Sequence, residues 1–212
     1  MKKVLFILLL GILGCNNSDS QIDEQSKKLF NSGDYQNCIN LSNAVEPEFL
    51  TQEIHNHRAW SYAHLGKIDS ASYEFEKVLL IDTTNQNAIL GQLQFHPELS
   101  TRIKYGFKYL RFQHDSAEIA RIYQNIGHNY KELEDLNRAI EFYDSSINYL
   151  GQNLSIDDGH IFYKKGLVQF YAKQFLKSKI SLSEYIKFRK DNDALKLLAA
   201  IEDSLQHNVK LH

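Results

Sequence analysis

Tyr123-Gln124-Asn125-Ile126-Gly127-His128-Asn129-Tyr130, followed beyond Glu134-Asp135 by Ala139-Ile140-Glu141-Phe142-Tyr143, is the stretch that decides how this 212-residue chain folds. Small Gly127 and Ala139 let two antiparallel helices approach closely, while Tyr123, Tyr130 and Tyr143 fill the space around the crossing. One such pair cannot bury its apolar face alone, so neighbours must stack against it to make a continuous core.

The segment resembles one complete tetratricopeptide repeat, a 34-residue helix-turn-helix unit. Two periods before Ala139 stands Ala71, inside Tyr62-Ala63-His64-Leu65-Gly66-Lys67-Ile68-Asp69-Ser70-Ala71, with Phe75 four residues on and Ile81-Asp82 closing the unit. Here Thr83 replaces the family's proline and Arg58 its leucine. A third copy lies at Gly33-Asp34-Tyr35, with Cys38 at the alanine position. A fourth, Phe162 and Gly166 with Phe175 and Ser178, follows the clean copy after a five-residue insertion near 153–157, bracketed by Gly151 and Gly159.

The window 86–119 keeps the length and loses the motif. It reads as a helix from about Asn85 to Phe95 and a second from near Pro97, since proline is tolerated in a first turn. From Asp191 onward Ala194, Leu198, Ile201 and Leu205 recur at helical spacing, as a capping helix requires. The resemblance implies an all-α fold, a right-handed superhelical solenoid of about five helix-turn-helix repeats over 22–192, sealed by a capping helix and tail at 193–212.

Met1-Lys2-Lys3 and the apolar run Val4 to Leu13 form a secretion signal over 1–14, too short to span a bilayer as a helix. Ile12-Leu13-Gly14-Cys15 resembles a bacterial lipobox, which implies diacylglycerol on Cys15, a short tether over 15–21, and an otherwise water-soluble mature domain. An ordinary secretory peptide or an uncleaved anchor is the competing reading; no small-x-small site after Gly14 favours it. Asn16 in place of an aspartate implies the outer membrane, with the domain periplasmic or surface-facing. Losing Lys2 and Lys3 would take the formal charge from −2 to −4, which disfavours nucleic acid as a partner. With Cys15 acylated only Cys38 remains, so no internal disulfide forms and Cys38 reads as a small buried hydrophobe.

In the resembled family the first helix of each pair lines a binding groove. Its spacing selects Asn56, Trp60, Ala63 and His64 in the second copy, Gln124, His128, Lys131 and Glu132 in the clean copy, and Tyr163, Leu167, Phe170 and Tyr171 in the last. Trp60 is either an anchor for a partner or packing between neighbouring helices. The lysine-asparagine pair of the family's carboxylate-gripping members is missing from the first copy. Between Gly159 and Asn192 stand eight basic residues against Glu184 and Asp191. Lys164, Lys165, Lys173, Lys177 and Lys179 are candidates for anionic head groups or an acidic partner, with an ordinary solvated face as the alternative.

No metal, cofactor or catalytic motif is present: His55 and His57 point to different helix faces, and His57 and His64 stand two turns apart. The expected function is a non-enzymatic, lipid-anchored scaffold in the bacterial cell envelope, holding an envelope protein or a peptide segment, with no small-molecule substrate. An accessory role in outer-membrane protein assembly and a glycan- or lipid-binding module are the alternatives.

Overall fold

A computed structural model describes residues 18–47, 50–151 and 159–209. The leader, Cys15 and the expected insertion near 153–157 lie outside these described residues. Among them the chain forms α1 (Ser18–Asn31), α2 (Tyr35–Asn43), α3 (Gln52–His64), α4 (Ile68–Ile81), α5 (Gln86–Phe95), α6 (Leu99–Leu110), α7 (Ser116–Glu132), α8 (Leu136–Leu150), α9 (His160–Tyr171), α10 (Phe175–Phe188) and α11 (Asn192–Val209), with no strand. Where the sequence reading counts one repeat domain, the chain falls into two compact units, Met1–Pro97 with α1 to α5 and Glu98–His212 with α6 to α11. Helix α1 starts at Ser18, which corrects the tether expected over 15–21: a polar stretch without periodicity can still be a first helical turn, where no apolar face is needed.

Four hairpins, α1/α2, α3/α4, α7/α8 and α9/α10, share one geometry. Each carries a buried small residue on its first helix and another on its second: Ser26 and Cys38, Ala59 and Ala71, Gly127 and Ala139, Gly166 and Ser178. At Gly127 a side chain would meet the Tyr143 ring at 3.1 Å and the Ala139 carbonyl at 3.2 Å, so the clean copy crosses nearly backbone to backbone. The Ser178 hydroxyl donates to the Gly166 carbonyl at 2.7 Å, and the Ser26 hydroxyl lies 3.6 Å from the Cys38 sulfur.

The connecting turns repeat as well. Gly33 (φ 78°), Gly66 (φ 73°), Glu134 (φ 62°) and Lys173 (φ 58°) are all left-handed. In each turn two backbone amides reach back to the last helical carbonyls, as in Asp135 N to Tyr130 O (3.0 Å) and Glu134 N to Lys131 O (2.9 Å). Side-chain oxygens of Asp34, Thr51, Asn85, Asp115 and Asp135 accept from the first free amides of the helices that follow.

Within the first unit Ile54, Phe75, Val78, Ile89 and Leu93 are buried. Helix α5 lies directly on α4: Ser72 donates to Gln92 Oε1 and Gln92 Nε2 donates back to the Ser72 carbonyl, both at 2.8 Å. In the second unit Ala139, Tyr143, Ile161 and Val168 form a core joined by Tyr130, Leu136 and Phe162. Burial pushes the Tyr143 hydroxyl up to about 12. Helix α11 packs Ala194 and Ile201 inward on α10, as expected of the cap, and Glu202 meets Lys179 at 2.7 Å.

The departure at Arg58 has a structural partner. Its guanidinium, buried where the repeat usually has leucine, donates to Glu74 Oε2 at 2.6 Å, and His55 Nδ1 lies 2.7 Å from the same oxygen. The hydrogen bonds from His55 and Arg58, with the charges of Arg58 and Lys77, outweigh burial and hold the Glu74 carboxyl below its ordinary value. Breaking a buried pair strands its other charge, at a cost of about 3–5 kcal/mol, whereas apolar replacement of both ends is often neutral. Arg58→Leu alone should therefore lower stability by ~3 kcal/mol, and adding Glu74→Met should recover most of that loss, read by urea denaturation. At the turn, Glu134→Gly should raise stability by ~1 kcal/mol, because a non-glycine residue is strained by about that much in the left-handed region; no shift in the urea midpoint would contradict the geometry.

Candidate interaction surfaces

In the first unit α1 and α3 bound an open cleft of about 520 Å³, lined on the α1 side by Asp23, Glu24, Lys27, Lys28 and Asn31 and on the α3 side by Glu53 and His57. Thr51 donates to Asp23 at 2.6 Å and Lys28 lies 3.4 Å from Glu24, so part of the charge is already matched. His57 Nδ1 sits 3.1 Å from the Ser26 hydroxyl, and its ring stacks on Phe30 at 5.5 Å. Burial holds the His57 imidazole below its ordinary value against the raising charges of Glu53 and Asp23.

The residues selected on α3 occupy three different environments. Asn56 is only 3% exposed and neither amide atom has a partner, so it lies beneath the surface. Trp60 is half-buried, edge-on to Phe75 (5.2 Å) and Phe95 (5.8 Å), which is the interhelical packing left open for it. Ala63 is half-buried. His64 is exposed and stacked on Tyr35, with ring centres 4.4 Å apart.

In the second unit the residues selected on α7 and α9 come together. Gln124 Oε1 accepts from Lys164 of α9 at 2.9 Å, so the two first helices share one face. Exposed His128 stands beside it, and half-buried Lys131 pairs with Glu132 at 2.9 Å. Partial loss of water around each ring or ammonium lowers both His128 and Lys164; Lys131 lowers both further, and Lys164 and Arg102 also act on His128. Cationic character from α6, α7 and α9 is thus concentrated there, with Glu132 opposing it. Along α9, Tyr163 tilts against Tyr185 (5.1 Å), Leu167 is half-buried, Phe170 packs on Phe175 (5.7 Å) and Tyr171 is exposed.

Sequence reasoning missed Lys164 as a member of this face, because the groove spacing selects its neighbour Tyr163. It also missed the buried His55, Arg58 and Glu74 group. A signal was available: Glu74 falls three residues after Ala71, on the same inward face of α4, and so needed a buried cation.

Two histidines with lowered values make stability depend on pH. The unfolded chain protonates near 6.5 and the folded chain only at lower pH, so stability is whole above about 6.5 and falls as pH drops through it. The urea midpoint should be lower at about pH 5.5 than at about pH 7.5, and His57→Gln with His128→Gln should flatten that difference.

The tetratricopeptide-repeat family model matches residues 120–149, within α7 and α8. No curated protein sequence matches the chain. Among solved structures, MamA residues 41 to end from Desulfovibrio magneticus RS-1 aligns with TM-score 0.71 at 14% identity, over 85% of this chain and 99% of that one. The C-terminal part of a TPR repeat-containing protein from Cytophaga hutchinsonii aligns with TM-score 0.69 at 18% identity, over 89% and 73%. A chain of the APC/C hetero-tetramer Cut9-Hcn1 aligns with TM-score 0.61 at 16% identity, over 83% of this chain and 35% of that one. The chain carries a tetratricopeptide repeat at 120–149 and has the all-α helical-repeat fold of tetratricopeptide proteins.

Proposed function

We propose that the chain is a non-enzymatic, lipid-anchored scaffold of the bacterial cell envelope that holds an acidic segment of a protein partner against the α7 and α9 face. The observation that carries the reading is the Lys164 to Gln124 hydrogen bond, which joins the first helices of two successive hairpins into one surface bearing His128 and Lys131. The Lys131 and Lys164 ammonium groups repel one another and gain most from an anionic occupant, and an extended peptide or a helix can supply carboxylates at that spacing. Half-buried Tyr163 and Leu167 and exposed Tyr171 add apolar contact along α9.

Anchoring rests on the lipobox-like Ile12-Leu13-Gly14-Cys15. Two or three acyl chains suffice to hold a soluble domain at a bilayer. No described helix is long and apolar enough to cross a membrane itself. The outer membrane is the proposed location, on the strength of Asn16 after the cysteine.

Photo-crosslinkers placed at His128 and Tyr171 in living cells test the reading. They should trap a discrete protein that crosslinkers at Glu141 and Lys187 do not. Lys131→Glu should weaken binding of that protein about tenfold, equivalent to ~1.4 kcal/mol. Cys15→Ser should abolish incorporation of labelled fatty acid and release the chain from membranes. Equal trapping at all four positions would refute the face, and fatty acid retained on Cys15→Ser would refute the anchor.

A further inference from the structure

The lysines of α9, α10 and the turn between them divide into two sets. Lys164 donates to Gln124, Lys165 pairs with Asp144, Lys179 with Glu202 and Lys187 with Glu184, so these brace the fold or the helix surface. Lys173 and Lys177 have no such partner among the described residues. Beside them, on the outward side of α10, Leu176 is 63% exposed and Ile180 58% exposed, one turn apart on a single stripe. Tyr171, also 63% exposed, ends α9 just before the left-handed turn residue Lys173.

The fold does not ask for apolar residues there. Helix α10 buries its other side, through Ser178, Ser181, Leu182 and Tyr185. The corresponding outward positions of the clean copy are Asn137 and Glu141, both exposed and polar. Two aliphatic side chains flanked by unpaired lysines, with a tyrosine at the border, match the layering of a membrane interface: apolar groups below, ammonium groups at the phosphates, the ring between.

We propose that this side of α10 rests on an anionic lipid surface, with Leu176 and Ile180 entering between head groups and Lys173 and Lys177 contacting phosphate. The sign of the charge selects anionic lipid over zwitterionic lipid. Two aliphatic residues one turn apart on the exposed side of one helix suit a fluid surface better than a shaped partner. The inference is separate from the α7 and α9 face and shares with it only Tyr171, at the border of the two.

The full chain carrying Trp60→Phe and Ile180→Trp, its sole tryptophan then on this stripe, is to be reconstituted in phosphatidylcholine vesicles with brominated tails, with or without phosphatidylglycerol. Expected is loss of most tryptophan emission with phosphatidylglycerol, restored by high salt and by Lys173→Glu with Lys177→Glu. The companion chain with Trp60→Phe and Glu141→Trp should keep its emission. Because Trp60 packs on Phe75 and Phe95, amide exchange of α10 in the unaltered chain is measured alongside, and should slow on the phosphatidylglycerol vesicles only. Equal quenching in both lipids, a charge reversal without effect, or unchanged α10 exchange would overturn the proposal. So would emission that responds to an added acidic protein and not to brominated lipid.

Discussion

Close approach of two helix backbones is the constraint on which the rest of the structure depends. A side chain at Gly127 would press on the Tyr143 ring at 3.1 Å and the Ala139 carbonyl at 3.2 Å, and the other hairpins also place small residues at this crossing, Gly166 and Ser178, Ala59 and Ala71, Ser26 and Cys38. Once the rods touch there, the turn between them has a fixed path, so its bend falls on a left-handed residue whether or not that residue is glycine. Glu134 and Lys173 accept the strain that Gly33 and Gly66 avoid. Tyr143, Tyr185 and Phe75 then fill the space around the crossings, each essentially buried.

Much of this was legible because the crossing is encoded by residue size at fixed spacing. The turns at Gly33, Gly66 and Glu134, the break at Pro97 and the cap from Asp191 each have a local cause that a single sequence displays. Helix α5 is a good example: Asn85 supplies its cap and Pro97 stands beyond its end, so its bounds could be read without any motif. The start of α1 could not, since a first turn needs no apolar periodicity.

Charged groups inside the first unit were opaque for a different reason. Arg58 departs from the repeat pattern, and a departure in one position says only that something compensates it. The compensation lies on another helix, at Glu74, and includes His55, which by itself reads as one of nine histidines. Groove spacing has the same limit. It places Gln124 and His128 on one face with Lys164, yet on α3 it selects Asn56, which is buried, and Trp60, which packs on Phe75 and Phe95. Spacing fixes which side of a helix a residue occupies; the size of the neighbours decides whether that side is open.

The last repeat shows how one basic composition can serve separate ends. Its lysines are spread around two helices, and each is defined by what its own direction meets. Lys165 and Lys179 meet Asp144 and Glu202 on adjoining helices and become struts between hairpins and cap. Lys164 meets the Gln124 amide, which satisfies a donor without cancelling its charge, so that charge remains to act on a ligand. Lys173 and Lys177 meet solvent beside Leu176 and Ile180, where neither charge nor apolar surface is satisfied by the chain itself. A count of lysines therefore carries little information about function; the neutralising partner, or its lack, separates a strut from a recognition group.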